Sequence, residues 1–151
     1  MHNAYQSVKQ MPNILKLMKR LFYIILYLWQ LPQNIAGLMV LLFYKVKKVK
    51  ITKCENGIYL VPFFCAGGVS LGNYIFILES NDDEFTRKHE LGHRIQSMML
   101  GPLYLLIVGL PSALFNIISS HSYKFSKNYY CRFPENWANK LGKCSEYEDE
   151  H

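Results

Sequence analysis

The chain has 151 residues, half of them hydrophobic and 15% aromatic, with 17 Lys and Arg against 11 Asp and Glu for a net charge of +6. That length suits one compact domain, but the apolar share is high for a soluble protein of this size, so part of the surface is expected to meet lipid. The positive balance does not point to nucleic acid: the lysines cluster beside apolar stretches and no nucleic-acid-binding signature is present, so attraction to anionic lipid explains them better.

Two apolar stretches open the chain, Leu21 to Trp29 and Ile35 to Tyr44, separated by Gln30-Leu31-Pro32-Gln33-Asn34. Neither is long enough to cross a bilayer alone. Together they allow one kinked spanning helix, a re-entrant pair or two helices lying at the interface. Lys16, Lys19 and Arg20 precede them and Lys45, Lys47, Lys48 and Lys50 follow, cationic anchors on both flanks that set no orientation. No small-residue cleavage site follows, so the block is not read as a cleavable signal peptide. Residues 1–46 are expected to form membrane-associated helices, and the protein to be integral to a membrane or tightly bound to it.

The pattern then changes to strand. Val49 and Ile51 alternate with Lys48, Lys50 and Thr52, Asn56-Gly57 supplies a turn signal, and Ile58 to Val61 resumes an extended apolar run, which predicts a β-hairpin. The glycine-rich segment Ala66 to Gly72 lacks the lysine and spacing of a phosphate loop and reads as a turn or a loop on the substrate side. Tyr74 to Leu78 reads as a third strand of a small antiparallel sheet.

Ser80-Asn81-Asp82-Asp83-Glu84 is a helix N-terminal signal with acids suited to the first turn, and no proline follows until Pro102. The predicted helix carries His89-Glu90-Leu91-Gly92-His93. Histidines four apart on a helix are separated by one turn plus about 40°, so both imidazoles leave one face and reach a common ion. Glu90 lies beside the pair, where it can take a proton from water activated by the metal, the general-base role of the H-E-x-x-H pattern. Phe85, Gln96 and Leu100 share that face, so two core histidines at helical spacing are the competing reading.

A catalytic zinc needs a third protein ligand. The residues after His93, Arg94-Ile95-Gln96-Ser97-Met98-Met99, contain neither the glycine nor the histidine of the metzincin extension. Downstream, Pro134 to Gly142 reads as a short helix with Glu135 in its first turn, and Glu135 is the expected third ligand. His121, in a Ser-Ser-His-Ser-Tyr segment, is the reserve. At these residues the chain resembles the gluzincin branch of zinc metallopeptidases, in which H-E-x-x-H is completed by a glutamate from a second helix. The resemblance covers those two helices only. In that branch an aspartate four residues beyond the glutamate commonly hydrogen-bonds a ligating histidine; the matching position here is Asn139, which accepts such a bond without carrying charge. The resemblance also implies a sheet ahead of the metal helix whose edge holds an extended peptide.

The apolar run Leu103 to Ile118 lies between the histidines and Glu135. A single membrane crossing there would put the ligands on opposite sides, so the run is expected to turn back, with Gly109-Leu110-Pro111 as the break, or to pack against protein as a buried core pair. Cys54, Cys65, Cys131 and Cys144 have no C-x-x-C spacing and are read as ordinary thiols, and the acidic residues 146–151 as a disordered tail. No oxyanion donor is identified; Tyr123, Tyr129 and Tyr130 lie in the right region.

The expectation is therefore an α+β, minimal zincin-like chain: N-terminal apolar helices, a small antiparallel sheet, the H-E-x-x-H helix, an apolar helical hairpin and a short C-terminal helix, with the metallohydrolase core over 47–145. His89, His93 and Glu135 would hold Zn2+, Glu90 would act as general base, and peptide bonds of a peptide or protein substrate would be hydrolysed. Two rivals stand against it. An intramembrane protease resembling the site-two family would draw an aspartate from a later helix, and no Asp occurs between Asp83 and Asp149. A non-catalytic membrane or scaffold protein would keep the helix for structure alone.

Overall fold

The computed structural model describes residues 13–63, 67–121 and 130–144. The expected tail over 146–151, together with Cys65, Tyr123 and Tyr129, lies outside the described residues, and His121 is described only as backbone.

Helices α1 (Asn13–Trp29) and α2 (Leu31–Val46) meet at an angle of 82°. The bend falls at Gln30 because Pro32 occupies the first turn of α2, where its missing N–H needs no partner but forbids continuation from α1. Along α1 the side chains from Leu15 to Trp29 are exposed except for half-buried Leu26. In contrast, α2 buries Gln33, Asn34, Gly37 and Tyr44.

Four strands follow: β1 (Thr52–Lys53), β2 (Ile58–Val61), β3 (Gly68–Leu71) and β4 (Tyr74–Leu78), in spatial order β1-β2-β4-β3. The expected hairpin is present as β1 and β2, antiparallel around a turn in which Asn56 and Gly57 take φ of 54° and 74°. Val49 and Ile51 lie outside the strand and pack against the core. Two expectations need correction. The glycine-rich segment is largely strand, since β3 pairs antiparallel with β4 at the edge of the sheet. The sheet is mixed, because β2 and β4 run parallel with Ile58 opposite Ile75 and Val61 opposite Leu78. The reason is burial. Ile75, Phe76 and Ile77 are each 0% exposed, and a strand apolar on both faces belongs at the centre of a sheet covered on both sides. Phe76 packs with Tyr44 and Val61 under α2, whereas Ile75 and Ile77 pack with Ile58 and Leu91 on the opposite face.

Leu91 belongs to α3 (Glu84–Leu100), which carries the histidines. Asp83 caps it by accepting from the Thr86 N–H at 2.7 Å, and Arg87 reaches back to both Asp82 oxygens at 2.5 and 2.8 Å. After α3 come a 3₁₀ turn (Gly101–Leu103), a π segment (Leu105–Gly109) and α4 (Leu110–His121). The 119° reversal lies ahead of the apolar run, at Gly101–Leu103 where α3 ends, so the run folds back on α3 as one helical stretch instead of breaking within itself. Gly101 takes φ 54° and ψ −129°, open to glycine alone, and Pro102 follows it. Around Gly109-Leu110-Pro111 the helix instead shifts register: the Leu110 N–H donates to Leu105 O, an i to i−5 bond, leaving Pro111 in the first turn of α4. Last comes α5 (Glu135–Gly142), closed by Lys143 in the left-handed region. Among the described residues no single helix is long and apolar enough to cross a membrane, although the two bent pairs have that length and composition.

Candidate metal centre

The site depends on an unusually close crossing of α3 and α5. A Cβ on Gly92 would stand 2.7 Å from the carbonyl carbon of Ala138, and one on Gly142 would stand 2.8 Å from that of Lys88. Two glycines, one on each helix, thus let the backbones touch. The approach brings the first residue of α5 to the histidine face of α3.

His89, His93 and Glu135 are 5%, 5% and 0% exposed. Glu135 Oε2 lies 3.0 Å from His89 Nε2 and 3.2 Å from His93 Nε2, and the two Nε2 atoms are 3.1 Å apart. Ligand atoms at about 2.0–2.1 Å from a tetrahedral zinc stand roughly 3.3–3.4 Å from one another, so this triangle is close to one face of such a tetrahedron.

The far side of each imidazole decides its proton. His89 Nδ1 is 2.7 Å from Asn139 Oδ1, and His93 Nδ1 is 2.7 Å from Gln96 Oε1. The amide nitrogens donate elsewhere, Gln96 Nε2 to Pro134 O at 3.0 Å and Asn139 Nδ2, more weakly, to Tyr130 O at 3.4 Å. A backbone carbonyl only accepts, so each amide turns its oxygen to the imidazole, and each imidazole donates from Nδ1. Both Nε2 lone pairs then face one carboxylate oxygen. Three electron-rich atoms about 3 Å apart in a buried site require a cation among them, either a metal ion or a proton. The donor set fits a metal ion.

The electrostatics agree. Burial works against the charged form of Glu135, yet in the ion-free site its close contacts with the His89 and His93 imidazoles overcome it and hold the carboxyl far below the usual carboxylate range. Burial also opposes charge on His93, but the hydrogen bond to Glu135 and the field of Glu90 prevail, so this histidine keeps a proton more tightly than free imidazole does. A proton and a metal ion therefore compete for the same lone pairs. Glu90 is 4% exposed, and burial pushes its carboxyl upward against the pull of His93 and His89. The backbone of β3 lies directly against it, since a Cβ on Gly68 would fall 2.5 Å from Glu90 Oε1.

A cavity of about 420 Å³ borders these groups, walled by β3 on one side and the π segment and α4 on the other. Among the described residues, buried oxygens of Glu90 (Oε2), Glu135 (Oε1) and Ser70 (Oγ), all residues that line it, have no hydrogen-bond partner. Orphaned acceptors in a polar corner of an apolar cavity are the mark of a place where a polar ligand sits. Tyr104 closes the inner wall, donating to Ser70 O at 2.9 Å, and burial followed by the fields of Glu90 and Glu135 raises its phenol well above its ordinary value.

The chain matches no protein-family model, no curated protein and no solved structure. The site stands on its own geometry.

Of the residues singled out from sequence, His89, His93, Glu135, Asn139 and Glu90 come together. The His121 side chain, Tyr123 and Tyr129 lie outside the described residues, and Tyr130 stands edge-on to His89, 5.1 Å between ring centroids at 84°. Among the described residues no two cysteines are bridged. Sequence reasoning missed the part played by Gln96, although its position three residues after His93 placed it on the same helix face. It also missed Tyr104 and the packing role of Gly92, for which the sequence carried no local signal.

Proposed function

We propose that the protein is a membrane-associated, zinc-dependent metallopeptidase of gluzincin-like type, with His89, His93 and Glu135 as ligands and Glu90 as general base. The observation that carries this reading is the pair of amides that fixes both Nδ1 protons, so that two imidazole lone pairs and a carboxylate converge beside an unpartnered Glu90 oxygen. A zinc ion bound there would polarise the scissile carbonyl and make water a nucleophile near neutral pH. Glu90, desolvated and at the cavity edge, takes the proton of the attacking water and returns it to the leaving nitrogen as the C–N bond breaks. Asn139 and Gln96 keep the imidazoles in the correct tautomer. The edge strand β3, apart from Ser70 O, which accepts from Tyr104, would offer main-chain hydrogen bonds to an extended polypeptide lying in the cavity.

A second reading has its own support. Contacts of 3.0 and 3.2 Å from Glu135 to the histidines also suit a buried ion pair with a protonated imidazole, as in a non-catalytic protein that keeps this helix for structure. Elemental analysis of the detergent-purified protein separates the two. The metallopeptidase holds near-stoichiometric zinc that is lost in His93→Ala and Glu135→Ala, while Glu90→Gln keeps zinc and loses peptide hydrolysis. Zinc-replete protein without metal, or a Glu90→Gln variant that still hydrolyses peptides, sinks the proposal.

A further inference from the structure

The exposed apolar surface does not end with the N-terminal helices. Leu106, Leu110 and Leu114 follow one another at four-residue spacing and are 65%, 51% and 49% exposed, and Leu103 before them is 56% exposed. They form an outward stripe along the π segment and α4. This stripe is fixed to the N-terminal pair through the two bends. The Trp29 ring covers Gly101, where a Cβ would fall 2.5 Å from its indole nitrogen, and the indole N–H donates to Met98 O at 3.2 Å. Beneath it, Ser97 donates its hydroxyl to Gln30 Oε1, and Gln33 Nε2 donates to Ser97 Oγ and to Gly101 O, each at 2.9 Å. Exposed Leu28 and Leu31 flank one side of this contact in the chain, and exposed Met99 and Leu103 flank the other.

So many exposed large apolar side chains on adjoining elements are more than a soluble monomer ordinarily leaves in water. Charge tells what covers it. Nine of the 17 Lys and Arg lie in the first 54 residues, which contain no acid before Glu55. A partner that is apolar in bulk and anionic at its surface is a phospholipid bilayer. The cavity is tied to the same face, because Ile117 lines it while remaining 59% exposed, and so marks its mouth one turn beyond Leu114.

We infer that the outer face of residues 103–118 is a second bilayer-contact surface, locked to the first by the packing of bend on bend. The metal cavity then opens at the boundary between acyl chains and headgroups, and its substrate arrives from the membrane surface. This deepens the proposed function and rests on it for the nature of the reaction alone; the lipid contact needs no metal.

The test uses the full chain in vesicles of phosphatidylcholine with a minor share of phosphatidylglycerol. One preparation carries a phospholipid with a photoactivatable diazirine in mid acyl chain, and another carries it next to the headgroup. Mid-chain labelling is expected on α1, α2, Leu106 and Leu110, headgroup-end labelling around Ile117, and neither on β1 or α5. Leu110→Lys/Leu114→Lys, at exposed positions, should keep its helix content, lose the labelling of α4 and bind vesicles roughly tenfold or more weakly. Labelling confined to residues 15–46 overturns the inference, as does undiminished vesicle binding by the double variant. Zinc content measured on the same samples reports on the metal separately: labelled α4 without zinc refutes the metallopeptidase alone, and zinc with unlabelled α4 refutes this inference alone.

Discussion

Replacing Gly92 with alanine sets two effects of known size against each other. In the interior of a helix alanine is favoured over glycine by roughly 0.5–1 kcal/mol, so propensity predicts a more stable protein. The added Cβ, however, would stand 2.7 Å from the Ala138 carbonyl carbon and closer still to its oxygen. Carbon atoms in contact settle at about 3.5–4.0 Å, so α5 must withdraw by about 1 Å at that point. The obstacle is helix backbone, which no rotamer change relieves, and overpacking of this kind typically costs about 1–3 kcal/mol, more than propensity returns. Glu135 lies one turn before Ala138 on α5, so the withdrawal stretches donor separations of 3.0 and 3.2 Å toward about 4 Å, beyond the roughly 3.3–3.4 Å that a tetrahedral zinc spans. Zinc affinity is expected to fall on the order of 100-fold although no ligand has changed. Competition with a chromophoric chelator measures that fall, and thermal unfolding in excess EDTA measures the packing cost. A Gly92→Ala protein that binds zinc as tightly as wild type and melts higher without metal would refute the reasoning.

Other expectations follow from the same contacts. Gln96→Leu removes the acceptor that fixes the His93 tautomer and should weaken zinc binding about 10- to 100-fold with helix content unchanged, whereas Asn139→Asp, which supplies a charged acceptor to His89, should tighten it. If Asn139→Asp weakens binding instead, the assigned direction of that hydrogen bond is wrong. Because His93 in the ion-free protein keeps its proton above the ordinary imidazole value, zinc must displace a proton; affinity should rise with pH up to the raised pKa and level off above it. A Kd independent of pH between about 6 and 8 would contradict this. The Arg87 hydrogen bond holds the Asp82 carboxyl below the ordinary carboxylate range, so its contribution to stability is present above that range and is lost as pH falls through the lower, folded pKa. Asp82→Asn should therefore be less stable than wild type at neutral pH, with the difference closing in acid.

The sequence was most informative where chemistry or a helix signal was local. The cap at Asp83, the 89–93 spacing and the short helix after Pro134 were all legible, because capping, periodicity and ligand spacing are written within a few residues of one another. The bend near Gln30 was legible for the same reason, since Pro32 cannot donate within a continuing helix. Pairing was not. Nothing in Ile58 to Val61 or Tyr74 to Leu78 says that these strands run parallel; that follows from burial on both faces of β4, which only the assembled layers decide. The reversal at Gly101 was missed because Gly109-Leu110-Pro111 carries the stronger breaker signal, and the π turn absorbed it. Gly92, inside the most conspicuous motif of the chain, gave no sign that it governs how closely α5 approaches.

Glu135 follows His93 by 42 residues, and the chain between them includes the whole π segment and α4. An ion on these donors is therefore a cross-link in topology as well as a reagent, closing a large loop in any partly unfolded chain. The loop-entropy relation for covalent cross-links of that span gives about 4 kcal/mol, comparable to the whole stability of a marginal domain. Fold stability is then coupled to ion occupancy, and the melting temperature of this protein should keep rising with the logarithm of free zinc concentration above the Kd.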